Sequence, residues 1–280
     1  MELKITNTLN HGNNVNLVDF YNENNKNTFE YIKQNNENIL ICIYNVHGWV
    51  NINKNITINE NFNNIFELLV KTNADLIILQ EVCTNNTIKE SQILSKFKTY
   101  DYKFHKFIQN GGCFLKKNST DHILILSRKE LKNIEVIDVT NFTFNREICV
   151  FECNGIKFLT VHLEIGKRYH HIAESTYKIN IIKYNTNLRI KQLDKILNMH
   201  NDIDIIIGDF NFTHEDYEFG WLLKRGFNYH GYFDNTTPYN RTDMLFMNKN
   251  CNEIEYIDSA TINSNYSDHL PIIYEFKNIK

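Results

Sequence analysis

Short, solidly apolar runs that stop abruptly at a polar residue constrain this chain more than any other feature. The sharpest is Ile203-Asp204-Ile205-Ile206-Ile207-Gly208-Asp209-Phe210-Asn211, four isoleucines around a single aspartate. It is too short and too β-branched for a helix, so it reads as a strand buried on both faces. Gly208 reads as the residue that ends it, where the backbone turns sharply. Asp209 and Asn211 follow two residues apart and share a side if the chain is still extended there. Asp and Asn after a strand are also ordinary turn formers. The run acquires meaning only from its counterparts.

Those counterparts recur along the chain. Ile39–Tyr44 runs into Asn45-Val46-His47, Ala74–Leu79 ends in Gln80-Glu81, and Lys157–Leu163 carries His162 and leads into Glu164. Met244–Met247 starts just after Arg241 and Asp243, and Leu270–Phe276 follows Asp268-His269. Each residue has a bland reading as a cap, a turn former or a bonded core histidine. Turn chemistry alone does not place acids, amides and histidines beside strand after strand.

Helical spacing marks Phe62–Lys71, where Phe62, Ile65, Phe66 and Leu69 fall on one face, and Thr87–Phe97, with Ile88, Leu94 and Phe97 inward. It also marks roughly residues 173–199, with Ile190, Leu193, Ile196 and Leu197 as the apolar stripe, and a helix near Asp216–Arg225. Residues 100–163 instead carry short strands: Tyr102–Ile108, Cys113–Lys116, His122–Ser127, Ile134–Val139, Glu147–Glu152 and Lys157–Leu163. Asn154-Gly155 between the last two is a two-residue hairpin signal. A single parallel sheet would need a crossover helix between most strands, and this stretch has none. The pattern predicts two sheets packed face to face with helices outside them, a mixed α/β sandwich.

The first 37 residues are Asn-rich with weak periodicity, and read as a loosely packed arm with a short helix around Thr28–Lys33. Residues 38–280 read as one globular domain. A net charge of −3 gives no global basic field for nucleic acid or an anionic membrane, though Lys167-Arg168-Tyr169-His170-His171 is a local candidate. The six cysteines are scattered, with no C-x-x-C pair, so neither a zinc site nor a disulfide framework is indicated. No apolar run reaches the roughly 18 residues a membrane span needs, and no signal peptide is read. The expectation is a soluble monomer, cytoplasmic or nuclear, with no stable membrane association.

The polar set limits the chemistry. Carboxylate and amide oxygens suit a hard cation such as Mg²⁺, with Mn²⁺ as a possible substitute, whereas zinc wants more His and Cys. An asparagine can orient a water or hold a nonbridging oxygen, and a histidine beside an acid carries protons near neutral pH. Together they suit metal-assisted attack of water on a phosphate ester. There is no Ser or Cys elbow, P-loop or Gly-rich dinucleotide turn.

Six segments in order carry a resemblance: Tyr44-Asn45-Val46-His47-Gly48, Leu79-Gln80-Glu81-Val82, Val161-His162-Leu163-Glu164, Gly208-Asp209-Phe210-Asn211, Arg241-Thr242-Asp243 and Ser267-Asp268-His269-Leu270-Pro271. The chain resembles the endonuclease/exonuclease/phosphatase superfamily over roughly residues 38–277. Ile125-Leu126-Ser127-Arg128, and Arg189 with Gln192 on the long helix, add to the resemblance. It implies a four-layered α/β/β/α sandwich of two mixed, mostly antiparallel sheets, and a metal-dependent hydrolase of phosphate esters. It implies that Glu81 is the principal Mg²⁺ ligand, with Asn45 beside it on the metal cluster or phosphate and Asp268 near the metal. Asp209 would orient or deprotonate the attacking water. Asn211 would hold a phosphoryl oxygen. His269, its ring fixed by Asp243, would contact the scissile phosphate, and His162 would bind phosphate or serve the leaving group. His47 departs from the pattern, because many members carry an acid there, and neither it nor Arg241 is given a firm role.

The branch follows from finer features. The His162-Leu163-Glu164 segment is unlike that of apurinic endonucleases, and Tyr239-Asn240-Arg241-Thr242-Asp243 lacks the signature of inositol phosphatases. The same segment and Gly208-Asp209-Phe210-Asn211 are similar to 5′-tyrosyl-DNA phosphodiesterases. The leading expectation is a Mg²⁺-dependent phosphodiesterase acting on DNA, as nuclease or end-processing enzyme. The alternatives are a phosphatase or phosphodiesterase of inositol phosphates or phospholipids, and a degenerate binding module without activity.

Overall fold

The computed structural model describes residues 17–21, 27–31, 37–51, 56–85, 87–112, 120–140, 146–164, 176–231 and 242–279. The expected strand at 113–116, the basic run 167–171 and Arg241 lie outside the described residues.

The apolar runs become the inner strands of two six-stranded sheets. One contains β3 (Ile39–Asn45), β4 (Leu76–Thr84), β5 (Phe104–Gly112), β6 (Thr120–Ser127), β13 (Ile254–Thr261) and β14 (Ile272–Asn278), in the order β13-β14-β3-β4-β6-β5. The other contains β7 (Leu131–Asp138), β8 (Glu147–Cys153), β9 (Ile156–His162), β10 (Ile205–Asp209), β11 (Phe227–His230) and β12 (Asp243–Asn248), in the order β11-β12-β10-β9-β8-β7. Each sheet has one parallel pair at its centre, β3 with β4 and β9 with β10, and the remaining pairs are antiparallel. A parallel pair needs a long crossover. The helices α1 (Ile58–Lys71) and α3 (Thr176–Met199) lie in those two connections. The shorter α2 (Glu90–Lys98) and α4 (Tyr217–Lys224) complete the outer layers.

Period-2 alternation explains why both faces of these strands are apolar. Along β3, Ile39, Ile41 and Ile43 enter the layer between the sheets, where they meet Ile205 and Ile207 of β10. Leu40, Cys42 and Tyr44 face outward onto Phe62, Ile65, Phe66 and Leu69 of α1 and Phe97 of α2. On the other side, Ile206 and Val161 pack under Leu193, Ile196 and Leu197 of α3 and Leu222 of α4. The result is the expected four-layered sandwich. α1 starts at a capping box, Thr57 Oγ1 accepting from Glu60 N while Glu60 Oε2 accepts from Thr57 N.

Several local expectations change. Residues Asn27–Tyr31 form a strand, β2, paired antiparallel with β1 (Leu17–Tyr21), where a short helix was expected. Thr, Phe and Tyr in that segment favour a pleated pairing over an isolated helical turn. β11 was not anticipated; four residues give too little alternation to read. The Asn154-Gly155 hairpin holds, with φ of 54° and 77° at the two turn residues and Cys153 opposite Ile156.

Gly208 does not end its strand. β10 continues through Asp209, and Gly208 is needed because β9 runs so close. A Cβ there would lie 2.0 Å from the carbonyl oxygen of Val161, and the residue's φ is +141°. Gly208→Ala is therefore expected to lower the unfolding free energy by about 3 kcal/mol or more. Urea denaturation measures this, and an unchanged midpoint would show that the strands can separate without cost.

Candidate active site

Strand register brings the first three site residues together. Asp209, at the end of β10, lies opposite His162 on parallel β9 and opposite Asp243 on antiparallel β12. The other sheet supplies Asn45 from the end of β3, Glu81 from β4, and the segment Ser267-Asp268-His269 that leads into β14. Glu81 does not end a strand, as the sequence suggested. β4 runs on to Thr84, and its pairing with β6 slips between Leu79 and Val82. Leu79 and Val82 both pack toward the outer helices, so one extra residue lies between them, and Glu81 takes φ 53°. A bulge of this kind re-aims a side chain.

Asn45 ties the carboxylates together. Its Nδ2 donates to Glu81 Oε1 and to Asp209 Oδ2, each at 3.1 Å, and its Oδ1 accepts from His47 N at 3.0 Å. Two acceptors on one side and a donor on the other fix the amide's orientation. Expected on the metal cluster or the phosphate, Asn45 is placed to orient Glu81 and Asp209, and its oxygen keeps a second lone pair beside the His47 N–H. Ser267, not singled out from sequence, donates its hydroxyl to Asn45 O at 2.7 Å and accepts from His269 N at 3.2 Å.

The histidines are tuned in opposite directions. Burial works against charge on His269, but Asp243, whose Oδ2 lies 2.7 Å from Nδ1, reverses this and raises the imidazole to about 10. Burial, helped by the Arg146 guanidinium, pushes His162 down to about 4. Arg146 is itself buried, with Nη1 2.5 Å from Asn110 Oδ1 and 3.3 Å from His162 O. Asp209 is 1% exposed, and burial with Asp243 nearby raises its carboxyl. Its Oδ2 stands 3.8 Å from His162 Nε2 and 4.0 Å from His269 Nε2. Burial also opposes ionisation of Glu81, yet the contacts with His47, His162 and Asn45 prevail and hold it well below the carboxylate range.

Asn211 sits just past Asp209 at φ 51°, with its N–H on Asp209 Oδ1 at 2.9 Å and its Nδ2 on Leu163 O at 2.8 Å. The loop that accepts this bond is held from behind by α3. Gln192 Oε1 accepts from Glu164 N at 3.2 Å, and Arg189 is locked by Glu218 of α4 through contacts of 2.8 and 2.6 Å. The inward face of α3 is thus partly polar. Arg189 and Gln192 are buried, while Ile190, expected inward, is only half-buried.

Two groups offer ligands for a cation. Asp209, Asp243 and His269 present atoms within 4.8 Å of one another, but all three are buried and His269 is already bonded to Asp243. Glu81 and Asp268, with His47 Nδ1 3.4 Å from a carboxylate oxygen of each, form the more open group. A hard ion that keeps several waters is better suited by the open group. The expected residues on the described chain therefore converge, and water, a cation and a phosphate ester fit the donors they present.

A model of the endonuclease/exonuclease/phosphatase family matches residues 48–258. No curated protein sequence matches the chain. Among solved structures, an endonuclease/exonuclease/phosphatase from Beutenbergia cavernae is 13% identical, covering 86% of this chain and 72% of that one, with a TM-score of 0.65. The human Nocturnin catalytic domain with bound sulfate is 16% identical over 88% of this chain and 96% of that one, TM-score 0.64. A 3′ phosphatase from Neisseria, bound to a product DNA hairpin, is 14% identical over 85% and 99%, TM-score 0.53.

His269 links the site to stability. Its value rises on folding from 6.5 to about 10, so its contribution is full below pH 6.5 and is lost as pH climbs through about 10. Unfolding free energy of chelator-treated protein should fall across that window, and His269→Gln should flatten the slope. Urea midpoints measured across that range check this; equal slopes would count against the Asp243 pair.

Proposed function

The chain belongs to the endonuclease/exonuclease/phosphatase family, and on that premise we propose that it is a Mg²⁺-dependent phosphodiester hydrolase acting on DNA. The observation that carries the reading is the position of Asp209: buried, bonded to Asn45, and within 4.0 Å of two histidines whose surroundings shift them in opposite directions.

In this reading Asp209 takes the proton of the attacking water. Its raised carboxyl value makes it a stronger base than an exposed aspartate. His269 stays protonated through Asp243 and donates to a phosphoryl oxygen where negative charge builds. His162, at about 4, carries a proton at pH 7 in only about one molecule in 10³. That favours a neutral hydrogen-bond donor to the phosphate over a leaving-group acid. One N–H of the Asn211 amide is used by Leu163 O, and the other remains for a phosphoryl oxygen. Glu81 with Asp268 would hold the divalent ion, which would supply positive charge to the transition state. DNA is favoured over soluble phosphates because a relative of the same fold holds a product DNA hairpin, and because the His162-Leu163-Glu164 segment is similar to that of 5′-tyrosyl-DNA phosphodiesterases.

With Mg²⁺, the protein is expected to hydrolyse plasmid or labelled oligonucleotides, including a 5′-tyrosyl end, and not inositol phosphates. Chelation should abolish turnover, and Asp209→Asn should lower kcat by about 10³-fold. Phosphate release from inositol phosphates with intact oligonucleotides would favour the phosphatase reading, and unchanged kcat in Asp209→Asn would remove Asp209 as the base.

A further inference from the structure

His47 stands between two carboxylates on the open side of the site. Its Nδ1 lies 3.4 Å from Glu81 Oε2 and 3.4 Å from Asp268 Oδ1, and the three side chains are 33%, 28% and 42% exposed. Beside this group the Asn45 amide is fixed, its oxygen bonded to His47 N and its nitrogen turned to Glu81 and Asp209.

The short 3₁₀ turn His47–Trp49 that carries the ring is pinned by the scaffold. Val46 N donates to Gln80 O at 3.0 Å, Trp49 Nε1 donates to Cys83 O at 3.0 Å, and the Ser267 hydroxyl holds Asn45 O at 2.7 Å. His47 and Trp49 take φ of 45° and 66°, conformations that non-glycine residues rarely hold without such support. Trp49 is fully buried. The imidazole is therefore presented by a rigid turn, in the manner of a built ligand.

We propose that His47 Nδ1 joins Glu81 and Asp268 as a ligand of the divalent cation, and that this nitrogen makes the site prefer a transition ion such as Mn²⁺ over Mg²⁺. The proposal rests on the assignment of Glu81 to the cation. Mg²⁺ is hard and strongly favours oxygen, whereas an imidazole nitrogen adds affinity for first-row transition ions. Two carboxylates and one imidazole leave the remaining positions to water and substrate oxygens. The imidazole of His269 is less available, since its Nδ1 is bonded to Asp243.

The test uses the chelator-treated full chain, with Mn²⁺ and Mg²⁺ as probes. Competition titration should show Mn²⁺ bound at least about tenfold more tightly than Mg²⁺. Pulsed electron paramagnetic resonance of bound Mn²⁺ should show the nitrogen modulation of a coordinated imidazole. His47→Asp, which substitutes an oxygen donor, should still bind Mn²⁺, lose that modulation and narrow the preference to within about threefold. Bound Mn²⁺ without nitrogen modulation, or modulation that survives in His47→Asp, would overturn the proposal alone. If folded Glu81→Gln, checked by circular dichroism, binds Mn²⁺ as tightly as the unaltered protein, the cation assignment fails and the proposal with it.

Discussion

One side-chain amide joins the two sheets where the chemistry is placed. Asn45 ends a strand of one sheet, and its Nδ2 reaches Asp209 at the end of a strand in the other. The apolar layer between the sheets fixes their spacing, but it is non-directional and cannot by itself set the angle of a carboxylate. The amide does so, and two further contacts across the seam assist it: His269 with Asp243 at 2.7 Å and His162 with Glu81 at 3.8 Å. Losing Asn45 would leave a nearly fully buried carboxylate short of a donor, a change that costs about 1–3 kcal/mol or more. The geometry of the Asp209 carboxylate and the attachment of the sheets are thus one problem with one solution.

Burying carboxylates opposite each other needs compensation, and the structure supplies it from behind. Asp209 and Asp243 are each about 1% exposed and face one another across a strand pair. The imidazolium of His269 lies beside both. Farther back, Arg146 and the Arg189–Glu218 pair are also buried. Buried ion pairs of this sort add little net stability relative to apolar packing. What they hold is the segment after β9: Gln192 and Arg189 fix the backbone around Glu164, and the neighbouring Leu163 O fixes Asn211. Glu81 and Asn211 keep positive φ within the same framework, which is where local strain is commonly stored.

The sandwich was legible because β-branched runs and period-2 alternation act locally. Ile39, Ile41 and Ile43 against Leu40, Cys42 and Tyr44 already define two faces, and a polar residue closes β3, β9 and β10, though β4 runs on past Glu81 to Thr84. Features set by a neighbouring strand were not legible. The bulge at Glu81 depends on register with β6, and the need for Gly208 depends on how near Val161 O passes. The direction of the Asn45 amide is decided by carboxylates 36 and 164 residues away. Arg189 and Gln192 were noticed on α3, but their turn inward depends on Glu218 and Glu164, which no helical periodicity connects to them. Ile190 was taken for core because apolar spacing cannot tell a helix face apart from a buried polar clamp.

The same geometry bears on whether water or a side chain attacks. Asp209 has Oδ1 engaged by Asn211 N and Oδ2 by Asn45 Nδ2, contacts that fix the direction of the carboxylate and leave each oxygen a lone pair to accept a proton. The Ser267 hydroxyl is held between Asn45 O at 2.7 Å and Asp268 Oδ1 at 3.3 Å, and it also accepts from His269 N, so its place is to brace the site's backbone. Burial raises the thiols of Cys42, Cys149, Cys153 and Cys251, Cys149 being pushed up to about 12. A thiol in that state is a poor nucleophile. Among the described residues the site thus sets acceptors and donors around the place an incoming oxygen would take. In the proposed reaction these contacts would orient a water as the nucleophile, for a single displacement at phosphorus.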